Sequence, residues 1–446
     1  MTEIYHIDGQ GNDAGVVYCE MQAIENEGGS IAYLELRRLL YPGGKCGYAS
    51  ETGGLMADIR TLTLDRIKKY HTDYYRPDNA CLIVTGMVNP GDVFESLATI
   101  EAKLPSMPAP PPPRTWFANE VPAPTPGGGD VRVEFASDEE DTGTVMLGWR
   151  GGQWRDFDEV LSLCVLHSYL GESEVSALHI EFVEGGDDEE GVCGSASFGL
   201  GEYGHVFQYC SFDAVKADGI DSIKGRLLAL LAKVCEQGID MQRMGSVIRR
   251  FHTRHLNSLE DSAHDTLPYY LIMAFLFGQD EHDCEGKLKS VFNAEKLLSH
   301  TSEYWTMLIK RTLLDTPVAC VRAFPSTRKG DELAEAEEGR LALRVEALGE
   351  QGLASLAAKL DQANEANNAP IPPSIVSSFK VPDVKNVPFI PIVTATYPSP
   401  LPSSPEFDEG AALREKLDQG GGVGAADGLP FYIQFDHVPS DFCEVT

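Results

Sequence analysis

Ten cysteines are spread through 446 residues, at 19, 46, 81, 164, 193, 210, 235, 284, 320 and 443, and no two of them form a C-x-x-C pair. A disulfide framework or a zinc ribbon needs closer spacing, so these thiols are expected to be reduced and mostly buried. No apolar run approaches the ~18 residues of a membrane span. The first thirty residues hold neither a basic leader nor a secretory apolar stretch. Basic residues are scarce: 36 Lys plus Arg stand against 68 Asp plus Glu, a formal net charge of -32. A surface of that sign repels phosphate at long range, which argues against nucleic acid and membrane as partners. Also missing are H-E-x-x-H, H-x-x-E-H, G-x-x-x-x-G-K-[ST] and G-x-S-x-G, which removes the local support for the chemistries those motifs carry.

What remains is a globular composition, 43% apolar and 23% charged, long enough for two or three domains. The run Pro105-Ser-Met-Pro-Ala-Pro-Pro-Pro-Pro113 favours extended polyproline backbone and reads as a linker. A second, diffuse proline-rich stretch covers Ala369 to Pro405. Before the first linker, apolar periodicity predicts helices over 13–27, 31–40, 64–75 and 92–104, with ACLIVT at 80–85 as a buried strand. Between the linkers, strands are expected at 131–135, 145–149, 194–200, 205–212 and 318–322. Helices are expected at 157–170, 173–182, 219–236, 240–257 and 294–310. The order is α+β, an antiparallel sheet backed by helices. One echo points to repeated domains: His71-Thr-Asp-Tyr-Tyr75 before ACLIVT, and His300-Thr-Ser-Glu-Tyr304 before PVACVRA. From 329 to 367 good helix formers dominate, interrupted by Gly349-Glu-Gln-Gly352, which predicts a helical hairpin.

Among candidate ligands, His252 and His255 form an H-x-x-H pair on one helix face, and the chain offers no nearby third ligand, so a structural pair is expected. Glu20 sits among Val16, Val17 and Met21, with Asp13 two helical turns earlier on the same predicted face. A carboxylate on an apolar face must be paired, hydrogen-bonded or bound to a metal, because a bare buried charge costs several kcal/mol. The residues alone leave a structural acid and a metal ligand both open.

Longer stretches narrow this. HIDGQGNDAGVVYCEM (6–21), GGLM (53–56), HTDYYRPDN (71–79) with ACLIVTG, the arm ALGEQGLASLAAKLDQANEANNAPIP and VPDVKNVPFIP together resemble the pitrilysin/insulinase family of zinc metallopeptidases, in its presequence-protease-like branch. The resemblance covers nearly the whole chain. It implies repeated α+β metallopeptidase-type domains, each a mainly antiparallel sheet backed by helices, plus the hairpin arm. It also implies a zinc cofactor and a peptide substrate. In that family an H-x-x-E-H helix supplies two zinc-binding histidines and a general base, and a later glutamate is the third ligand. Glu20 matches this third ligand, and Asp13 stands where the family often has a supporting glutamate.

Because the H-x-x-E-H segment is missing from this sequence, the expectation is a fragment: 1–104 the back of a first domain, 105–129 a linker and 130–326 a second domain. The arm would follow at 327–368, an extended linker at 369–427, and the start of a third domain at 428–446. The fragment is expected to be inactive, to hold zinc weakly or not at all, and to pair with a partner chain carrying the missing half. A non-catalytic structural or peptide-binding subunit is the alternative. A cytoplasmic location is expected, with mitochondrial as the alternative if a leader precedes Met1.

Overall fold

A computed structural model describes residues 2–379 apart from 45, 87, 103, 105–120, 186–189 and 281, together with two strands at 393–397 and 433–437. The expected linker at 105–129 therefore lies largely outside the described residues, as does most of 369–446.

The chain begins with a two-stranded antiparallel hairpin, β1 (His6–Ile7) and β2 (Asp13–Ala14), with His6 opposite Ala14. Helix α1 (Val16–Ile24) follows at once, then α2 (Gly28–Leu40). In α2, Ala32, Leu36 and Leu40 recur every four residues and are all buried, the stripe expected of a helix lying on a core. A short helix α3 (Met56–Ile59) leads to α4 (Leu64–Tyr74), capped by the Thr63 hydroxyl, and α5 (Pro90–Glu101), capped by Asn89. Neither α4 nor α5 buries a residue. Between them the expected strand at 80–85 does not form, and Leu82 and Val84 are exposed. A strand needs a ladder partner for its N–H and C=O groups, and no neighbouring strand is present among the described residues.

The centre is a five-stranded sheet in the order β3-β7-β4-β6-β5, built from β3 (Asp130–Ala136), β4 (Thr142–Gln153), β5 (Ser195–Gly201), β6 (His205–Lys216) and β7 (Ala319–Ser326). Only β3 and β7 run parallel. On one face Val145, Leu147 and Trp149 pack beneath helices α6 (Phe157–Gly171), α7 (Ile223–Gln237), α8 (Met241–Asp261) and α11 (Ser302–Ile309). On the other, Met146, Phe207, Ala319, Val321 and Ala323 are roofed by α2. Gly148 permits this approach: a Cβ there would sit 2.9 Å from Leu36 Cδ1. With both faces covered, β4 is buried through most of its length.

Of the helices of ten residues or more, two were not foreseen, α9 (Ala263–Phe277) and α10 (His282–Val291). α9 is apolar all round and contains Pro268, so it offers no 3.6-residue period to read. The expected helix at 173–182 shrinks to a π-turn at His179–Glu184. The expected helix at 294–310 breaks at His300, with a 3-10 turn before α11.

The arm, α12 (Thr327–Asn367), is capped by Ser326 and turns at Gly349, whose φ of 60° suits glycine. Leu341 and Val345 from its first half and Leu353 from its second all lie within 3.6 Å of the point where a Cβ on Gly11 would sit. The two halves thus close on the β1–β2 loop as a hairpin. Residues Met1–Asn368 make one unit. The second unit, Ala369–Thr446, contains a helical turn, α13 (Pro373–Val376), and an antiparallel pair, β8 (Val393–Tyr397) with β9 (Ile433–His437). Among the described residues no helix is long and apolar enough to cross a membrane.

Candidate functional site

The β1–β2 loop is organised by Asp8, whose carboxylate accepts the N–H groups of Gln10 and Asn12, both at 2.8 Å. The chain leaves this loop into Asp13, whose side chain is 4% exposed. Helix α1 starts only at Val16, so Asp13 lies on a strand and shares no helical face with Glu20, which corrects the sequence reading.

Asp13 gathers five donors. Oδ1 accepts from the Tyr5 hydroxyl at 2.6 Å and faces Arg344 Nη2 at 2.8 Å. Oδ2 accepts from Arg60 Nε at 3.2 Å, Arg340 Nε at 3.3 Å and the Tyr18 hydroxyl at 3.4 Å. Burial pushes this carboxyl up, but the Tyr5 bond and the Arg344 and Arg60 guanidiniums outweigh it and hold Asp13 below the ordinary carboxylate value. The Tyr5 phenol is raised, first by burial and then by donating to Asp13. Arg60 also donates to the Tyr18 hydroxyl at 2.5 Å, and Arg344 to the Gly11 carbonyl at 2.7 Å. Arg340 and Arg344 belong to the arm, so Asp13 is the post on which the arm is latched to the segment that carries α1. Sequence reading missed these arginines. Their i,i+4 spacing in a Glu-rich helix was the available signal.

Glu20 lies on the opposite side of α1. Tyr18 and Met21 point into the small core, whereas Glu20 and Cys19 are exposed, with Val16 63% and Ile24 38% exposed beside them. The sequence placed Glu20 on the apolar, buried face. The structure turns that face outward, and Glu20 has no ion-pair or hydrogen-bond partner among the described residues. A carboxylate ringed by exposed aliphatic groups remains.

Among the described residues no three His, Cys, Asp or Glu groups converge to hold a metal ion. Asp13 is engaged by arginines and tyrosines, and Glu20 is a lone exposed carboxylate, whereas a zinc centre takes at least three protein ligands. Of the H-x-x-H pair, His255 is held within its own helix: its ring stacks on Phe251 at 4.1 Å and its Nδ1 lies 2.9 Å from the Phe251 carbonyl, whereas His252 Nδ1 is buried without a hydrogen-bond partner among the described residues. The internal echo has a structural counterpart. His71 stacks on Tyr75 at 4.8 Å and His300 on Tyr304 at 3.7 Å, but only the second copy continues into a paired strand, β7.

A second buried ionic centre was not visible in the sequence. Lys287 of α10, 3% exposed, meets Glu202 at 2.7 Å, and Glu202 also accepts the Trp154 indole N–H at 3.1 Å. It ties α10 to the β5–β6 turn. The other side of that turn is held by the N-terminal segment: Tyr41 donates to the His205 carbonyl at 3.0 Å, and Tyr48 stacks on Tyr203 at 4.5 Å.

Comparison with known proteins agrees with this architecture. Residues 61–251 match the family model described as Peptidase M16 inactive domain. An uncharacterized protein of Schizosaccharomyces pombe is 30% identical over an alignment that takes in 100% of this chain and 42% of that protein. The mitochondrial presequence protease of Gibberella zeae is 21% identical, covering 75% of this chain and 32% of the protease. A protease from Helicobacter pylori has the same fold, with a TM-score of 0.55 at 20% identity over 69% of this chain and 70% of that one. The chain spans about two fifths of the length of the fission-yeast relative. By its motifs, its family match and its fold, the chain is a pitrilysin-family relative of the presequence-protease-like kind.

Proposed function

We propose that this chain is a non-catalytic portion of a zinc metalloendopeptidase, presenting Glu20 to a metal site whose histidines and general base come from another segment or a partner chain. By itself it hydrolyses no peptide. The observation that carries this reading is the setting of Glu20, an unpaired carboxylate on an exposed aliphatic face of α1, beside Val16 and Ile24. That face has the composition of a surface meant to be covered, and the Asp13 latch fixes the helix that bears it. The exposed apolar surface of α4, α5 and the 80–85 stretch supports a partner on the same side of the reasoning, since an extended segment with free backbone groups invites a pairing strand.

The test is a graft in which this chain replaces the matched portion of the fission-yeast relative. Chelator-sensitive cleavage of a fluorogenic peptide and bound zinc are expected in the graft, and Glu20→Gln is expected to lose both. Retention of activity in Glu20→Gln removes the reading. For the isolated chain the expected results are no cleavage and less than stoichiometric zinc after dialysis. A second reading, a peptide-binding subunit without a metal role, is favoured by the match to the inactive-domain model. It predicts that Glu20→Gln changes nothing while peptide binding persists in chelator.

A further inference from the structure

A groove of about 700 Å³ runs along the first two turns of α8, between that helix and the loop entering α11. Its charge differs from that of three other hollows on the described surface. Other hollows carry carboxylates: Glu134 in one, Asp156, Asp158 and Glu159 in another, Glu51 and Asp58 in a third. This groove has none, although acids outnumber bases by 68 to 36. Its one permanent charge is Arg249, which has no ion-pair or hydrogen-bond partner among the described residues. The guanidinium folds back over Gly245, where Nη1 lies 3.6 Å from the position a Cβ would take, and Leu298 closes the far side at 3.8 Å. Gly245, itself buried, is the floor, covered by Arg249 and Leu298.

The remaining lining donates hydrogen bonds or is apolar. Ser302 Oγ already accepts the Ile239 N–H at 2.7 Å, which leaves its proton free to point outward. Thr301 and Gln242, each with a side-chain donor, also line the groove. The nearby Asp240 carboxylate is engaged as the cap of α8, its Oδ1 accepting the N–H groups of Gln242 and Arg243 at 2.9 and 3.1 Å. His300, stacked flat on Tyr304, makes a fixed wall. Met241 and Leu298 supply the aliphatic surface.

We infer that this groove binds a carboxylate joined to an apolar group, and specifically the C-terminal carboxylate of a peptide whose last side chain rests on Met241 and Leu298. A guanidinium with hydroxyl and amide donors around it is a fork-shaped match for a carboxylate, and one end of a peptide is where a carboxylate and an aliphatic side chain share a carbon. Glu20 plays no part in this assignment.

The full-length chain is titrated against a fluorescein-labelled pentapeptide ending in leucine, as the free acid and as the C-terminal amide, with fluorescence anisotropy as the readout. The free acid is expected to bind saturably and the amide about tenfold or more weaker, in line with loss of a charge-assisted pair. Arg249→Gln, at an exposed position, is expected to weaken the acid about tenfold and leave the amide unchanged. Gly245→Leu, which fills the floor, is expected to abolish both, with circular dichroism confirming the fold. Equal binding of acid and amide, wild-type binding by Arg249→Gln, or no saturable binding up to millimolar peptide overturns the proposal. So does equal binding of an amidated peptide bearing an internal glutamate, because the site then reads acidic side chains and not chain ends.

Discussion

Replacing Asp13 by Asn keeps the side chain's shape and removes the charge on which Arg60, Arg340 and Arg344 converge. Breaking a buried ion pair by deleting one partner costs about 3–5 kcal/mol, because the remaining charge is stranded. Here the three guanidiniums keep some water, being 20%, 32% and 16% exposed, and Asn retains one acceptor. The expected loss is therefore about 2–3 kcal/mol. It should be felt first where the latch acts, so amides in the 327–367 arm should exchange about thirtyfold or more faster with deuterium, with a smaller effect on β4 and β6. The pH dependence has a defined sign. Asp13 titrates below its ordinary value in the folded chain, so between the two values the unfolded chain binds more protons. The latch contributes fully above about pH 4 and fades as pH falls through the folded value, and Asp13→Asn should flatten that acid limb. Glu20→Gln serves as the control, since an exposed, unpaired acid should change stability by less than about 0.5 kcal/mol. If arm exchange in Asp13→Asn stays within about twofold of wild type, the latch does not hold the arm and the reasoning fails.

Lys287→Met strands Glu202 in a half-buried site and should lower stability by about 3 kcal/mol; a loss below about 1 kcal/mol in urea unfolding would show the pair to be dispensable. His167, buried against Phe198 and 2.9 Å from Gln208 Oε1, is pushed down by burial to about 4. The unfolded chain therefore gains a proton near pH 6.5 that the folded chain refuses until about pH 4. Stability should fall by roughly 3 kcal/mol across that window, and an NMR titration placing the imidazole above pH 6 would contradict it. Leu82→Ser and Phe94→Ser should leave the unfolding midpoint unchanged, because both side chains are already exposed, while reducing self-association in sedimentation velocity. An unfolding midpoint that drops in either variant would mean these residues are packed.

Much of the fold was legible because its elements announce themselves locally. The α2 stripe and the Gly349 break each rest on residues within a few helical turns of one another. The strand at 80–85 was misread for the opposite reason. ACLIVT has the composition of a strand, but pairing is a property of neighbours, and composition names none. α9 escaped because uniform hydrophobicity has no phase. At the candidate site, Glu20 was singled out by resemblance and given the wrong environment, since apolar neighbours in sequence were taken for a buried face. The phase of α1 is set by Tyr18 and Met21, not by Val16. The true buried acid was Asp13, and its partners at 340 and 344 lie more than three hundred residues away. Only the folded arm brings them within reach.

α2 has no chemistry of its own, yet it decides where this polypeptide can be cut. The proline run after Leu104 invites a trim that begins at Asp130, and such a trim would strip the roof from Met146, Phe207 and Val321 and leave a greasy sheet floor for chaperones or neighbouring molecules to find. Anyone designing an expression boundary would do better to keep everything through Asn368 and seek the seam beyond it.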